Sequence, residues 1–374
     1  MMTQEFINEY ADRIAKLQSM LPDEVDGVKI DGAIISSEIS RRYITGFPAS
    51  DGFVFLNRTK SIFITDSRYT EAAANNITNC EVRGFVKLGE TAAQLADELG
   101  LHNVIIETER VTLAEAAKYD KLFDGINLVK TSTLDDILNE MRVHKTAYEI
   151  EKMKEAQKIT EDALMYVLEN VLDEGVSERE LALEIEFYMR RHGAERVAFD
   201  LIVAAGPNSS MPHAVPSDYK VKKGDFITFD IGAVVDGYHS DMTRTVAFGD
   251  ITEEQKLVYN TVLRAQTAAK EYVANGGDDL RECDAAARKV ISDAGYGAYF
   301  GHSTGHGVGV EIHETPYVAP SASGKIPTGA VITDEPGIYL EGKFGVRIEN
   351  MLYKTENSCD DLTNLDRELL VIRK

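Results

Sequence analysis

Cysteine is scarce in this chain. Cys80, Cys283 and Cys359 are odd in number, far apart and outside any CxxC pattern, which argues against a disulfide framework and a thiolate metal site. Long apolar runs are missing too, since no stretch approaches the roughly 18 residues of a membrane span. The opening MMTQEFINEYADRIAKLQ mixes charge with apolar residues at helical spacing. It lacks the basic start and apolar core of a signal peptide, so the expected address is the cytoplasm. Basic residues are outnumbered, 40 Lys and Arg against 62 Asp and Glu, for a formal charge of −22. Such a charge repels phosphate backbones and anionic lipid, and neither nucleic acid nor membrane is an expected partner. There is no tandem repeat and no low-complexity tract.

What remains is an ordinary globular composition, 44% hydrophobic and 27% charged over 374 residues, long enough for about two domains. VKIDGAIISS, DGFVFLN and KSIFITD read as strands, with Asn57-Arg58-Thr59-Lys60 as a hairpin turn between the last two. YTEAAANN, TAAQLADELG and LAEAAKYDKLF read as helices. Residues 1–135 are therefore expected to form a small α/β domain and 136–374 a second domain, with the polar stretch 131–145 as the connection. The second domain opens on Thr146-Ala-Tyr-Glu149, a capping box that starts a helix to about residue 171, and Ser177-Glu-Arg-Glu180 starts another to about His192. FDLIVAAG, DFITFDIGAVV and HSDMTRTVAF follow as strands, and two more helices precede a glycine-histidine loop. Helices and strands do not alternate regularly here, so the class is α+β, a sheet backed by helices.

The chemistry is concentrated in this second part. In FDIGAVVDGYHSD, a two-residue turn at Asp236-Gly237 sets Asp230 opposite Thr243 and places Asp241 two positions along on the same face. The two carboxylates can then hold a cation across a diagonal of roughly 7 to 8 Å. An acid in so apolar a strand as that of Asp230 is costly unless its charge is compensated. GHSTGHGVGVEIHE adds His302, His306 and His313, and with His213 and His239 five of the eight histidines lie between 213 and 313. Its glycines oppose a helix and favour an extended segment that presents individual imidazoles. Gly301 to Gly305 also fits the G-x-S-x-G elbow of serine hydrolases, but a helix and Gly-Tyr-Gly precede it where a strand is needed. Glu335 in ITDEPGIYL and Glu349 in GVRIENMLY lie in two further runs of strand character, with a bulge expected at Pro336-Gly337. Arg347 offers Glu349 an ion pair as an alternative to a metal. Four carboxylates and an imidazole make up the ligand set of a two-metal hydrolytic site.

These motifs resemble those of the pita-bread-fold metallopeptidases, in the branch of proline-directed aminopeptidases and dipeptidases, and the resemblance covers nearly the whole chain. It implies a C-terminal pita-bread (creatinase/aminopeptidase) domain behind a smaller creatinase-like α/β domain. Asp230, Asp241, His306, Glu335 and Glu349 stand in the family's ligand order. By analogy Asp241 and Glu349 bridge two metals, Asp230 chelates one, and His306 with Glu335 binds the other. The resemblance also assigns His213 and His313 to the substrate and transition state, and matches His302 to a histidine beside the site. ITGFPASDGF and FITDSRYTEAA resemble the amino-terminal domain of aminopeptidase P. Methionine aminopeptidases share the five ligands, but Arg347-Ile-Glu349 resembles the proline-directed branch. Two residues depart from the family pattern: Asp334 precedes the ligand glutamate where an apolar residue is commoner, which adds negative charge near the metals, and Asn350 follows Glu349 where Asp is usual.

The implied activity is a dinuclear exopeptidase that releases the first residue from peptides with proline second, an Xaa-Pro aminopeptidase. An Xaa-Pro dipeptidase (prolidase) is the alternative. On that resemblance two divalent ions would share a water as a bridging hydroxide and polarise the scissile carbonyl, Glu335 would move the proton, and His313 or His213 would steady the oxyanion. Oxygen-rich ligation favours Mn2+, with Co2+, Zn2+ or Fe2+ as substitutes. The family also implies a homodimer. Two other readings remain open at this point: a non-catalytic binding protein on the same fold, and a metal-free amidinohydrolase of the creatinase type.

Overall fold

The computed structural model describes residues 4–374, and side chains from residue 8 onward. It divides into two compact units between Arg142 and Val143. The segment 131–145, expected as a polar connection, is mostly the helix Thr133–Val143.

In the first unit a six-stranded mixed sheet runs in the order Glu81–Gly84, Ser61–Thr65, Phe53–Asn57, Gly32–Ile35, Asn103–Ile106, Asn127–Val129. Phe53–Asn57 and Ser61–Thr65 are the central hairpin. Its turn forms where expected, because the Asn57 side-chain carbonyl accepts the amides of Thr59 and Lys60. Helices Thr70–Asn76, Leu88–Leu99 and Leu113–Leu122 coincide with the three helical segments read from the sequence.

The second unit contains two similar halves, each a helix pair followed by antiparallel strands. In the first half, Ala147–Asn170 and Glu178–Arg191 start at the two expected capping boxes. Leu164, Val167, Leu181 and Ile185 pack beneath Phe229, Ile231, Val246 and Phe248 of the strands Asp225–Ile231 and Met242–Phe248. In the second half, Glu253–Ala274 and Leu280–Asp293 carry Val262, Ala269, Ala287 and Ile291 against Ile332 and Leu352 of Val331–Asp334 and Asn350–Lys354. A capping box that the sequence reading missed, Thr252 with Gln255, starts the first of these helices. Thr252→Ala is expected to lower stability by about 1 kcal/mol, measured by urea denaturation with metal content unchanged.

Each half contains a hairpin whose ladder parts midway. In the first, Asp230 pairs with Thr243 and Ile231 with Met242. The same register then resumes in another sheet as Ala233–Val235 with Tyr238–His239, closed by Asp236 and Gly237 at φ 49° and 87°. In the second, Asp334 pairs with Asn350 and, past the break, Gly337 pairs with Arg347. The residue count is equal on both sides, so the expected bulge at Pro336-Gly337 does not form. Proline has no N–H to donate, and the ladder opens there without an extra residue. Glu335 and Glu349 consequently face each other across the opening.

Candidate active site

The two openings meet at one cavity of about 490 Å³. Asp230, Asp241, His306, Glu335 and Glu349 line it, and so do His213, His302, His313 and Arg347. Every residue assigned to the site from the sequence is therefore in one place. His239 is not. It is buried against the carbonyl of Gly309, and burial with the nearby Arg196 charge lowers its pKa to about 4.

Threonines tie the hairpins together. Thr243, opposite Asp230, donates its hydroxyl to Glu349 Oε2 at 2.7 Å and accepts from Arg347 Nε at 3.1 Å. The Glu349 amide donates to the Thr243 carbonyl at 3.1 Å, and the Glu335 amide donates to Thr304 at 2.7 Å. Arg347 ion-pairs with Asp230 at 2.6 Å. The ion pair with Glu349, the alternative to a metal there, is not what forms: Arg347, two positions before Glu349, reaches across to Asp230 on the other hairpin. Here is the charge compensation that Asp230 requires.

His306 enters on the short strand Gly305–Gly307, the extended segment anticipated from the glycines. A Cβ on Gly305 would lie 2.0 Å from the Thr333 carbonyl oxygen, so only glycine lets the backbone approach this closely. His306 Nδ1 sits 3.0 Å from the Gly307 carbonyl, which leaves Nε2 facing Glu335 Oε1 at 3.3 Å and Asp241 Oδ2 at 3.6 Å. Burial alone would lower the His306 pKa, but the Glu335 bond and the charges of Glu335 and Asp241 raise it to about 9. Burial would raise Glu335, and its bond to His306 with the charges of His306, His302 and Arg347 turn the net direction downward. Asp241 and Glu349 are both driven well above the carboxylate range, by burial first and then by neighbouring carboxylates.

Such crowding fits a metal centre. Ligand atoms of Asp241, His306 and Glu349 all lie within 4.8 Å of one another, and a cation among them reverses the repulsion that burial aggravates. The Nδ1–H to carbonyl bond of His306 fixes the tautomer a ligating imidazole uses.

Around this cluster, the His313 ring stands 4.4 Å from that of His306, edge to face. His302 is fixed at both nitrogens, with Nδ1 on the Ser303 carbonyl at 2.8 Å and Nε2 on the Tyr339 hydroxyl at 2.9 Å. Arg347 donates to the same hydroxyl at 2.8 Å. Tyr339 therefore passes its own proton toward His302 Nε2. Burial holds both His302 and His313 below the ordinary imidazole range. Ser303 lines the cavity but is preceded by a 3₁₀ turn and followed by the strand Gly305–Gly307, which is no nucleophile elbow.

Asp334, expected to add charge near the metals, points away from them. Its carboxyl accepts from Gln266 Nε2 at 2.7 Å and from the Asn350 amide at 3.2 Å, on the helix-covered side of the sheet. Burial and Asp361 hold it well above the carboxylate range.

Comparison with known proteins gives the family. Residues 151–356 match the model of metallopeptidase family M24, and 13–144 match the creatinase/prolidase N-terminal domain. The chain belongs to metallopeptidase family M24. It has that family's pita-bread domain behind a creatinase-type domain, as the sequence motifs implied. The Xaa-Pro dipeptidase of Pyrococcus horikoshii is 36% identical over 348 residues, 92% of this chain and 96% of its own. Among solved structures, an Xaa-Pro dipeptidase from Bacillus anthracis superposes with a TM-score of 0.89 at 37% identity, covering 97% of this chain and 99% of that one. An X-Pro aminopeptidase from Thermotoga maritima does so with a TM-score of 0.86 at 37% identity, covering 92% and 98%. As an M24 metallopeptidase the chain is a metal-dependent enzyme acting on peptides. No described helix is long and apolar enough to cross a membrane.

Sequence reasoning missed Tyr339, Thr243 and Thr333 as parts of the M24 site. Thr243 was within reach, because the hairpin register put it opposite Asp230. Thr333, whose hydroxyl accepts the His306 amide and reaches Glu335, was recoverable from strand alternation once Glu335 was placed. Tyr339 had a weaker signal, since His302 comes from another segment and Arg347 meets it only across the hairpin of Gly337–Leu340 with Phe344–Arg347.

Proposed function

We propose that this metallopeptidase releases the N-terminal residue from peptides with proline second, using two divalent ions held by Asp230, Asp241, His306, Glu335 and Glu349. The observation that carries this is the convergence of Asp241, His306 and Glu349 within 4.8 Å, with Asp230 and Glu335 on the same cavity wall. The proline preference rests on the relatives named above. Bound ions, most readily manganese, supply Lewis acidity and an acidified water. Glu335, kept ionised by its neighbours, accepts the proton of the attacking water and returns it to the proline nitrogen. His313 and His213 face the cavity from separate loops and donate to the oxygen of the tetrahedral intermediate.

Charge favours an aminopeptidase over a dipeptidase. Among the described residues lining the cavity, Arg347 is the only permanent cation. Its nitrogens already donate to Thr243, Tyr339, Pro212 and Asp230. A dipeptide places a free carboxylate on the leaving proline, where no uncommitted cation of this unit meets it. Ala-Pro-Ala moves that carboxylate one residue away, and Ala-Pro-NH2 removes it at nearly equal size. The manganese-loaded enzyme is expected to cleave both at least about tenfold faster than Ala-Pro, the worth of one unneutralised charge of about 1.4 kcal/mol. A preference for Ala-Pro over its amide would instead establish the dipeptidase reading, which the names of two of the three relatives favour.

A further inference from the structure

The loop from Ala205 to Ser217 carries His213 to the cavity, yet apolar packing does little to hold it. Met211 and Val215 are 50% and 82% exposed, and only Ala214 beside His213 is buried. Among the described residues no hydrogen bond ends on the His213 ring, so its position depends on the backbone beneath it.

That backbone is gathered at its base by one carboxylate. Glu178, the first residue of the helix Glu178–Arg191, is fully buried. Its Oε1 accepts from the Ala205 amide at 2.7 Å and from Asn208 Nδ2 at 3.0 Å. Oε2 accepts from the Ser217 amide at 2.9 Å and the Ser217 hydroxyl at 2.6 Å. Ala205 and Ser217 are the two ends of the loop, so one side chain fixes both. The closure is reciprocal, because the Glu178 and Arg179 amides donate to the carbonyls of Tyr219 and Ser217 at 3.2 and 3.1 Å. No Lys or Arg pairs with Glu178 among the described ion pairs. Four donors and the positive end of its own helix offset the charge instead. Farther along, Arg347 reaches the Pro212 carbonyl at 3.3 Å and the Gly345 amide reaches Ser209 Oγ at 2.9 Å. The loop is thus pinned below by Glu178 and held above by the hairpin that carries Arg347.

We propose that Glu178 is a positioning residue for His213, acting through both ends of the loop and touching neither substrate nor metal. This rests on the reading of His213 as a group that meets the substrate. A carboxylate is the side chain that suits the task, since it offers about four acceptor sites and no donor to an all-donor environment. Glutamine at this position turns one oxygen into an NH2 that faces two donors.

The test compares manganese-loaded wild-type enzyme with E178Q, H213A and the double variant, by amide hydrogen exchange over 205–217, metal content and kinetics on Ala-Pro-Ala. The expected result for E178Q is exchange over 205–217 faster by at least about tenfold, unchanged metal content and kcat lower on the order of 10²-fold. The double variant is expected to be no slower than H213A, because both changes remove one contribution. S217A withdraws a single donor; if E178Q does not accumulate folded, S217A carries the test, with the same pattern at about a tenfold loss of kcat. Unchanged exchange over the loop overturns the proposal, as do losses that multiply in the double variant. If H213A alone retains wild-type kcat, the role of His213 in the reaction falls, and loop exchange in E178Q still decides whether Glu178 anchors it.

Discussion

Glu349→Gln is expected to lower peptide cleavage on the order of 10³-fold, about 4 kcal/mol of transition-state stabilisation, and to reduce the manganese bound per chain. The Thr243 hydroxyl donates to Glu349 Oε2, so a glutamine turns its carbonyl to Thr243 and its NH2 toward Asp241 and His306. A donor then occupies the place of a cation. The sign reverses for the metal-free protein. Glu349 lies buried beside Asp241, with Asp230 and Glu335 also repelling it, and removing its charge relieves that repulsion. Metal-free E349Q is therefore expected to melt above metal-free wild type, while added manganese raises the melting temperature of wild type and barely moves the variant. Full activity with full metal content in E349Q would remove Glu349 from the ligand set.

Arg244→Met is expected to cost about 3 to 5 kcal/mol of stability. Arg244 is 2% exposed and is among the largest fully buried side chains. All five of its N–H groups are used, on the carbonyls of Thr243, Glu349, Leu365 and Asp366 and on Asn350 Oδ1. Every partner is a neutral acceptor, and methionine withdraws the guanidinium donor from all of them, leaving the Thr243 carbonyl only the Glu349 amide. The fork also holds the main chain of Glu349 at 2.6 Å, so manganese affinity is expected to fall along with stability. Arg244→Lys keeps the charge but supplies three donors where five are needed, and an intermediate loss is expected. Thermal unfolding and manganese titration check both; a methionine variant that melts with the wild type would show that the carbonyls find other donors.

Asn350 acquires a reason in the same network. It accepts from Arg244 and donates to Asp361 Oδ2 at 2.6 Å, linking a cation to an anion as an aspartate could not. From the sequence it was only a departure from the family pattern.

Much of the site was legible because its signals are local. Asp236-Gly237 set the turn, the turn set the register, and the register put Asp230 opposite Thr243 as the structure has it. Capping boxes at Thr146 and Ser177 fixed helix starts for the same reason. Glu335 and Glu349 could not be phased, since whether Pro336 inserts a bulge or merely parts the ladder depends on what lies above it. Asp334 was misplaced although strand alternation bears on it, because the residue before an inward-facing Glu335 must face outward. Arg347, Tyr339 and Glu178 were beyond local reading, because Asp230 lies 117 positions from Arg347, His302 37 from Tyr339 and Ser217 39 from Glu178.

The ligand cluster draws on three stretches of chain, one around 230 to 241, one at 306 and one from 335 to 349, lying in two different helix-and-strand halves. No single hairpin or half offers His306, Asp241 and Glu349 together. Loop closure over such separations comes late in folding, so metal capture is a finishing event. The nascent chain has no complete cluster until residues 306–349 have emerged and docked. A metal bound there acts as a seal on an assembled domain, slowing its unfolding far more than it speeds its formation.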